Sequence, residues 1–292
     1  MALNLKVYKM LEQIYPLKLI ERHNGFAFLL GFAYSIIGIG AAVLLFPEDP
    51  AIVAVAFIAI MFLPTLNSLV KEEEEIESKK EEFNLFVFLK DHKEIFLIYI
   101  LFFLGTLLAF SFFALTLNSL ATNHIFENQI NVLYGSATGR AFDTGLFKSI
   151  FANNLMVLIL CFIAAFIFGD GAIFLIVWNA SVWGTIFGTF ARNYALAFSK
   201  NPFTSFLIVL AIVFVHMILE AFAYISAASA GGVISKGILR EKFFSERFRY
   251  IIGNTIITLV FAVIILVIAV LAESYVLGNI GFYQKIVSYS FI

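Results

Sequence analysis

Cysteine and charge are both scarce in this chain. One cysteine, Cys161, stands in the apolar run LMVLILCFIAAF, so no intrachain disulfide is available. Charged residues make up 13% of the 292 positions, about half of what a soluble domain carries. The four histidines are scattered, and no Cys/His spacing of the zinc-finger kind occurs. Net charge is −1, so no basic field recruits nucleic acid. What fills the chain instead is hydrocarbon and aromatic ring: 62% of residues are hydrophobic, 36 of them Phe, and the mean hydropathy is +0.97. That composition belongs to a bilayer.

A helix crossing about 30 Å of hydrocarbon needs roughly 20 apolar residues. Seven runs meet this reading: 25–46, 50–70, 95–117, 151–169, 172–191, 204–227 and 251–272. The first lacks an evident cleavage site and reads as an uncleaved signal anchor. Pro47 and Pro50 in FPEDP break the first pair into a hairpin, and the glycines of GDGA turn another at 169–172. The fold class is therefore all-α, a polytopic helical membrane protein.

Orientation follows from the basic residues. With the N-terminus inside, only Arg140, Lys148, Arg192, Lys200 and Lys285 of the 19 Lys and Arg fall outside. We expect a multi-pass plasma-membrane protein with its C-terminus outside. Its parts are an amphipathic interfacial helix (1–24), a transmembrane hairpin (25–70), a cytoplasmic charged helix (71–94), a five-helix membrane core (95–272) and an outer interfacial tail (273–292). The charged helix opens on KEEEEIESKK, where Glu73, Glu74 and Glu75 face Lys79 and Lys80 within four to six residues. It is either a solvated helical extension or a docking element. The loop 118–150 is long for a structureless connection, so a short helix or re-entrant piece is expected within it.

Polar residues inside hydrocarbon face the bundle interior or a wet cavity. Here they are Asn153, Asn154, Asp170, Asn179, His216, Glu220 and Asn254. In FVHMILEAFAY, His216 and Glu220 share one helix face at i,i+4. Phe214, Ile218 and Phe222 fall on another, suited to lipid. At 1.5 Å per residue His216 lies near the midplane, and Asn179 reaches the depth of Glu220. Asn179 is accordingly expected opposite Glu220, with His216 as a further partner. After Glu220 the run AFAYISAASAGG allows another backbone to approach. Three chemistries fit the pair: a structural hydrogen-bonded cluster, a transport or proton-linked site, and a metal or hydrolytic site. His216 and Glu220 supply only two metal ligands, and no HExxH helix is present. No nucleophile–base set stands out, since neither Ser181 nor Ser205 has a flanking motif, and no cofactor motif occurs.

Three stretches carry a family resemblance. They are FANNLMVLILCFIAAFIFGDGA with Asn153 and Asn154, FLIVWNASVWG with Asn179, and VHMILEAFAYISAASAGG with His216 and Glu220. Residues 95–272 resemble the stage II sporulation protein M family, departing from it at Ala180, Val215 and Met217. The resemblance implies a five-span core with its N-terminus inside. It also implies a membrane scaffold or assembly role with protein partners or self-association in the lipid bilayer. Residues 1–94 lie outside it. Transport through His216 and Glu220 is the alternative, and an intramembrane metal-dependent hydrolase the third.

Overall fold

The computed structural model describes residues 23–77, 93–136 and 145–288, all helix and connecting turn with no strand among them. Residues 1–22 of the expected interfacial helix 1–24, residues 78–92 of the charged segment 71–94, and the last four residues lie outside the described residues. The helices are α1 (Gly25–Leu45), α2 (Pro50–Glu77), α3 (Lys93–Thr116), α4 (Ser119–Ile125), α5 (Glu127–Ser136), α6 (Gly145–Phe168), α7 (Ala172–Phe198), α8 (Pro202–Arg240), α9 (Glu246–Asn279) and α10 (Gly281–Ser288). Six of them are long and apolar enough to cross a membrane: α1, α3, α6, α7, α8 and α9. The seventh expected span, 50–70, lies within α2, which is helical from Pro50 to Glu77, and its apolar part among the described residues is Pro50–Leu66.

Local chemistry sets the helix ends. Asn201 caps α8, its side-chain oxygen accepting from the amides of Phe203 (2.9 Å) and Thr204 (3.2 Å), with Pro202 at the first helical position. Ser245 caps α9 and Asn118 caps α4 in the same way. The turn between α6 and α7 is a short 3-10 segment, Gly169–Gly171, with Gly169 at φ 63°, a conformation that favours glycine.

Packing centres on α3. A β-carbon on Gly105 of α3 would overlap the Phe28 carbonyl of α1, and one on Gly31 of α1 would overlap the Phe102 carbonyl of α3. On the other side, a β-carbon on Gly184 of α7 would overlap the Leu107 carbonyl of α3. The Ser111 hydroxyl lies 3.0 Å from the Gly184 carbonyl oxygen and 2.9 Å from that of Leu107. Helix α3 is thus met backbone to backbone by α1 and α7. Phe62 of α2 stacks on Phe102 at 3.6 Å and closes the hairpin onto it.

One end of the bundle gathers the α1–α2 turn, α4 and α5, the last turns of α7, and α10. Asn128 donates to Asp49 at 3.2 Å, Gln129 donates to the Ala51 carbonyl at 3.3 Å, and the Lys285 ammonium sits 4.5 Å from the Phe198 ring centre. The expected folded piece in the long loop is the α4–α5 pair. Its Phe126 and Gln129 are fully buried, and Phe126 packs 5.3 Å from Phe110 of α3.

Arg192 of α7 is buried at the same end. Its Nη1 donates to the carbonyls of Ala114 (3.0 Å) and Leu117 (2.9 Å) and to the Thr122 hydroxyl (2.8 Å). A side chain counted as an exterior charge from the sequence is thus a buried clamp on the carboxyl end of α3. One aromatic expectation is also corrected. Phe214 is exposed as expected, but Phe222 packs between Phe96 of α3 (4.9 Å) and Phe261 of α9 (6.2 Å). The helix is covered on both flanks at that level.

The glycine contacts yield a stability contrast. Gly184→Ala must displace the α3 backbone and should destabilise the protein by about 1–3 kcal/mol. Gly232→Ala, with nothing within 4 Å of the added carbon, should be neutral or mildly stabilising. Thermal unfolding of both variants in detergent checks this, and equal Tm values would contradict the packing.

Candidate functional site: a carboxyl junction between three helices

The run that follows Glu220 determines what reaches it. Small residues of α8, among them Ala223, Ala227 and Ala228, are buried, and a β-carbon on Gly231 would overlap the Phe162 carbonyl of α6. Helices α6 and α8 run parallel in this contact. Ala165 lies against Gly231, and Asn154 meets Glu220 eleven residues earlier on both helices, at the same separation of 66 residues.

Asn154 Nδ2 donates to Glu220 Oε1 at 3.0 Å. Glu220 is 2% exposed and Asn154 8%. A second carboxyl closes the junction from α9, where the side chain of Glu273 meets that of Glu220 within hydrogen-bonding reach. Ionised carboxylates only accept, so a hydrogen bond between these two groups requires a proton on one of them. Glu273 Oε2 is buried with no hydrogen-bond partner among the described residues. Tyr224, one turn beyond Glu220 and buried, lies within electrostatic range of both carboxyls. Tyr283 of α10 is also buried close to Glu273. Burial pushes its phenol above the usual tyrosine range, and the Glu273 carboxylate adds to that.

The residues singled out from the sequence divide. Asn154 and Glu220 come together. Asn153 is exposed, and among the described residues its side chain bonds to its neighbour, Nδ2 to Asn154 Oδ1 at 3.4 Å. Asn179 was expected to face Glu220. Instead its amide turns back on its own helix and donates to the Leu175 carbonyl at 2.8 Å, which satisfies the donor without any neighbour. His216 was expected to partner Glu220. It is buried, but its Nδ1 has no hydrogen-bond partner among the described residues, and the groups that meet Glu220 come from α6 and α9. Asp170 lies in the Gly169–Gly171 turn, with its side chain outside the described residues. Among the described residues no group of three or more His, Cys, Asp or Glu converges as a metal site.

Sequence reasoning missed Glu273 by ending the last span at residue 272, where AES reads as the edge of an apolar run. The helix continues to Asn279. The available signal was the apolar stretch YVLGNIGF resuming beyond it.

The junction predicts a coupled pair. Asn154→Ala removes the donor to a buried carboxyl and should lower stability by about 1–3 kcal/mol. In a Glu220→Ala background the same change should cost far less, because the group it served is gone. A double-mutant cycle by thermal or denaturant unfolding measures the coupling, and strict additivity would show that the two side chains do not interact.

A family model described as Stage II sporulation protein M matches residues 98–276. The match opens in α3 and closes in α9, so it contains Asn154, Glu220 and Glu273 and leaves out the α1–α2 hairpin. No curated protein and no solved structure matches the chain. The match covers more than half of the sequence, and the chain belongs to the stage II sporulation protein M family.

Proposed function

We propose that this protein is an integral membrane scaffold or assembly protein whose carboxyl junction fixes the packing of its core. The observation that carries this reading is the seal around Glu220. The side chain is 2% exposed and is met from two other helices, so it ties α6, α8 and α9 together where lipid offers no partner. In hydrocarbon, helices are not driven together by apolar burial, and a shared polar contact specifies which faces meet. The family resemblance implies the same role. In this reading the protein sits in the plasma membrane with its N-terminus inside and its C-terminus outside. The acidic segment 71–94 or a self-association face recruits protein partners on the inner side.

The second reading, transport of a proton or cation, is favoured by one specific observation: Glu220 is opposed by another carboxyl, Glu273, rather than by a base. Two carboxyls in contact within a bundle can hold and release a proton or exchange it for a cation. The metal-dependent hydrolase has no such support.

Three variants separate these readings. For a scaffold, Glu220→Gln keeps the hydrogen bond to Asn154 and should leave complexes intact on native gels, whereas Glu220→Leu should lose about 1–3 kcal/mol of stability and loosen them. For a transporter, wild-type protein in proteoliposomes should dissipate an imposed proton or cation gradient. Glu220→Gln and Glu273→Gln should then fold normally and abolish that flux. An inert wild type together with an intact Glu220→Leu complex would reject both. Orientation is tested separately by labelling single cysteines placed at residues 75, 130 and 245. Reagent confined to the cell exterior should reach only residue 130, and exterior labelling at 75 or 245 would overturn the topology.

A further inference from the structure

Besides the residues around Glu220, the structure has a second set of buried polar side chains, on α7. Ser181, Thr185, Thr189 and Arg192 follow one another at intervals of four, four and three residues, which places them within one arc of the helix. All four are buried. The α4–α5 segment touches both ends of this stripe. Gln129 Nε2 donates to Ser181 Oγ at 3.3 Å, and Thr122 accepts from Arg192. Between and at these anchors lie polar atoms with no partner among the described residues: Gln129 Oε1, Thr185 Oγ1, Thr189 Oγ1 and Arg192 Nε. Gln129 is 0% exposed and is aimed into the stripe by its own bond to Ser181.

A seam built only to hold helices together would be apolar or fully bonded, because each buried polar group without a partner is destabilising. This seam is neither, so its energy falls when water enters. Among the side-chain hydrogen bonds that hold α5 are those of Gln129 to the Ala51 carbonyl and to Ser181, both between uncharged groups, and that of Asn128 to Asp49. Such contacts break in local openings well below the cost of global unfolding.

We infer that the seam between α5 and α7 is a hydration path, closed by the α4–α5 segment. It opens to admit water and small uncharged polar solutes along Ser181, Thr185 and Thr189. Hydroxyl and amide groups line it, and the Arg192 guanidinium disfavours cations. The path is independent of the carboxyl junction, which lies among α6, α8 and α9.

The test uses full-length protein in proteoliposomes with Cys161→Ala, and reads the reaction of single introduced cysteines with hydroxyethyl methanethiosulfonate, a small neutral thiol reagent. Thr185→Cys should react at least about ten-fold faster than Ile176→Cys, which is equally buried but points about 180° away on the same helix. Adding Gln129→Ala should raise the Thr185→Cys rate by a further factor of about five to ten, because two pinning hydrogen bonds are lost. It should leave Ile176→Cys unchanged. The cationic trimethylammonium reagent should react more slowly than the neutral one. Gln129→Met, which keeps the side-chain volume and removes the bonds, replaces Gln129→Ala if that variant does not fold. The inference is overturned if Thr185→Cys is as inert as Ile176→Cys with and without the Gln129 change. It is equally overturned if the Gln129 change accelerates both sites alike, or if the cationic reagent is the faster.

Discussion

The structure depends on the exposed backbone of α3. Helices in hydrocarbon gain little from burying apolar side chains against each other, so close van der Waals contact must hold them. Here that contact is made without intervening side chains: Gly105 against Phe28, Gly31 against Phe102, and Gly184 against Leu107. The α1–α2 hairpin docks on one side of α3 and α7 on the other. Once α7 is placed, the short turn at Gly169–Gly171 places α6, and the contact of α6 with Gly231 places α8. The carboxyl junction is the far end of this chain of placements.

Two buried charge-bearing groups are handled in different ways. Arg192 bonds to two carbonyls at the end of α3, where the helix dipole concentrates negative partial charge, so backbone serves in place of a carboxylate. Glu220 has an amide from Asn154 and faces a second carboxyl, Glu273, in place of a basic partner. Among the described residues neither group has an ion-pair partner, whose desolvation cost in such surroundings would be large. What counts here is how each buried polar atom is matched.

How far the sequence discloses this depends on the range of the signal. Apolar run length located the membrane helices, because bilayer thickness acts on each run separately. Glu220 announced itself as a carboxyl in a greasy helix, and the small residues after it forecast the close approach of α6. The partner of Glu220 was less legible. Depth matching selected Asn179, but an amide in a helix can satisfy itself on the carbonyl four residues back, as Asn179 does at Leu175. Asn154 stands near the start of the expected span 151–169, and the parallel register of α6 and α8 is what brings it to Glu220. Glu273 and Arg192 were misread for a common reason: a charge near the end of an apolar run looks the same whether it snorkels to water or turns inward. The α4–α5 segment was foreseen only as something folded, since its burial depends on neighbours supplied by three other helices.

Helix α8 has 39 residues, nearly twice what a crossing requires, and Glu220 sits close to its middle. From Glu220 to Arg240 the axis runs about 30 Å, so a tilt of about 5° pivoting at the carboxyl junction would swing the Arg240 end by roughly 2.6 Å. The three-helix contact is in that sense a fulcrum. A small shift at that contact is thus magnified toward the Arg240 end of the helix.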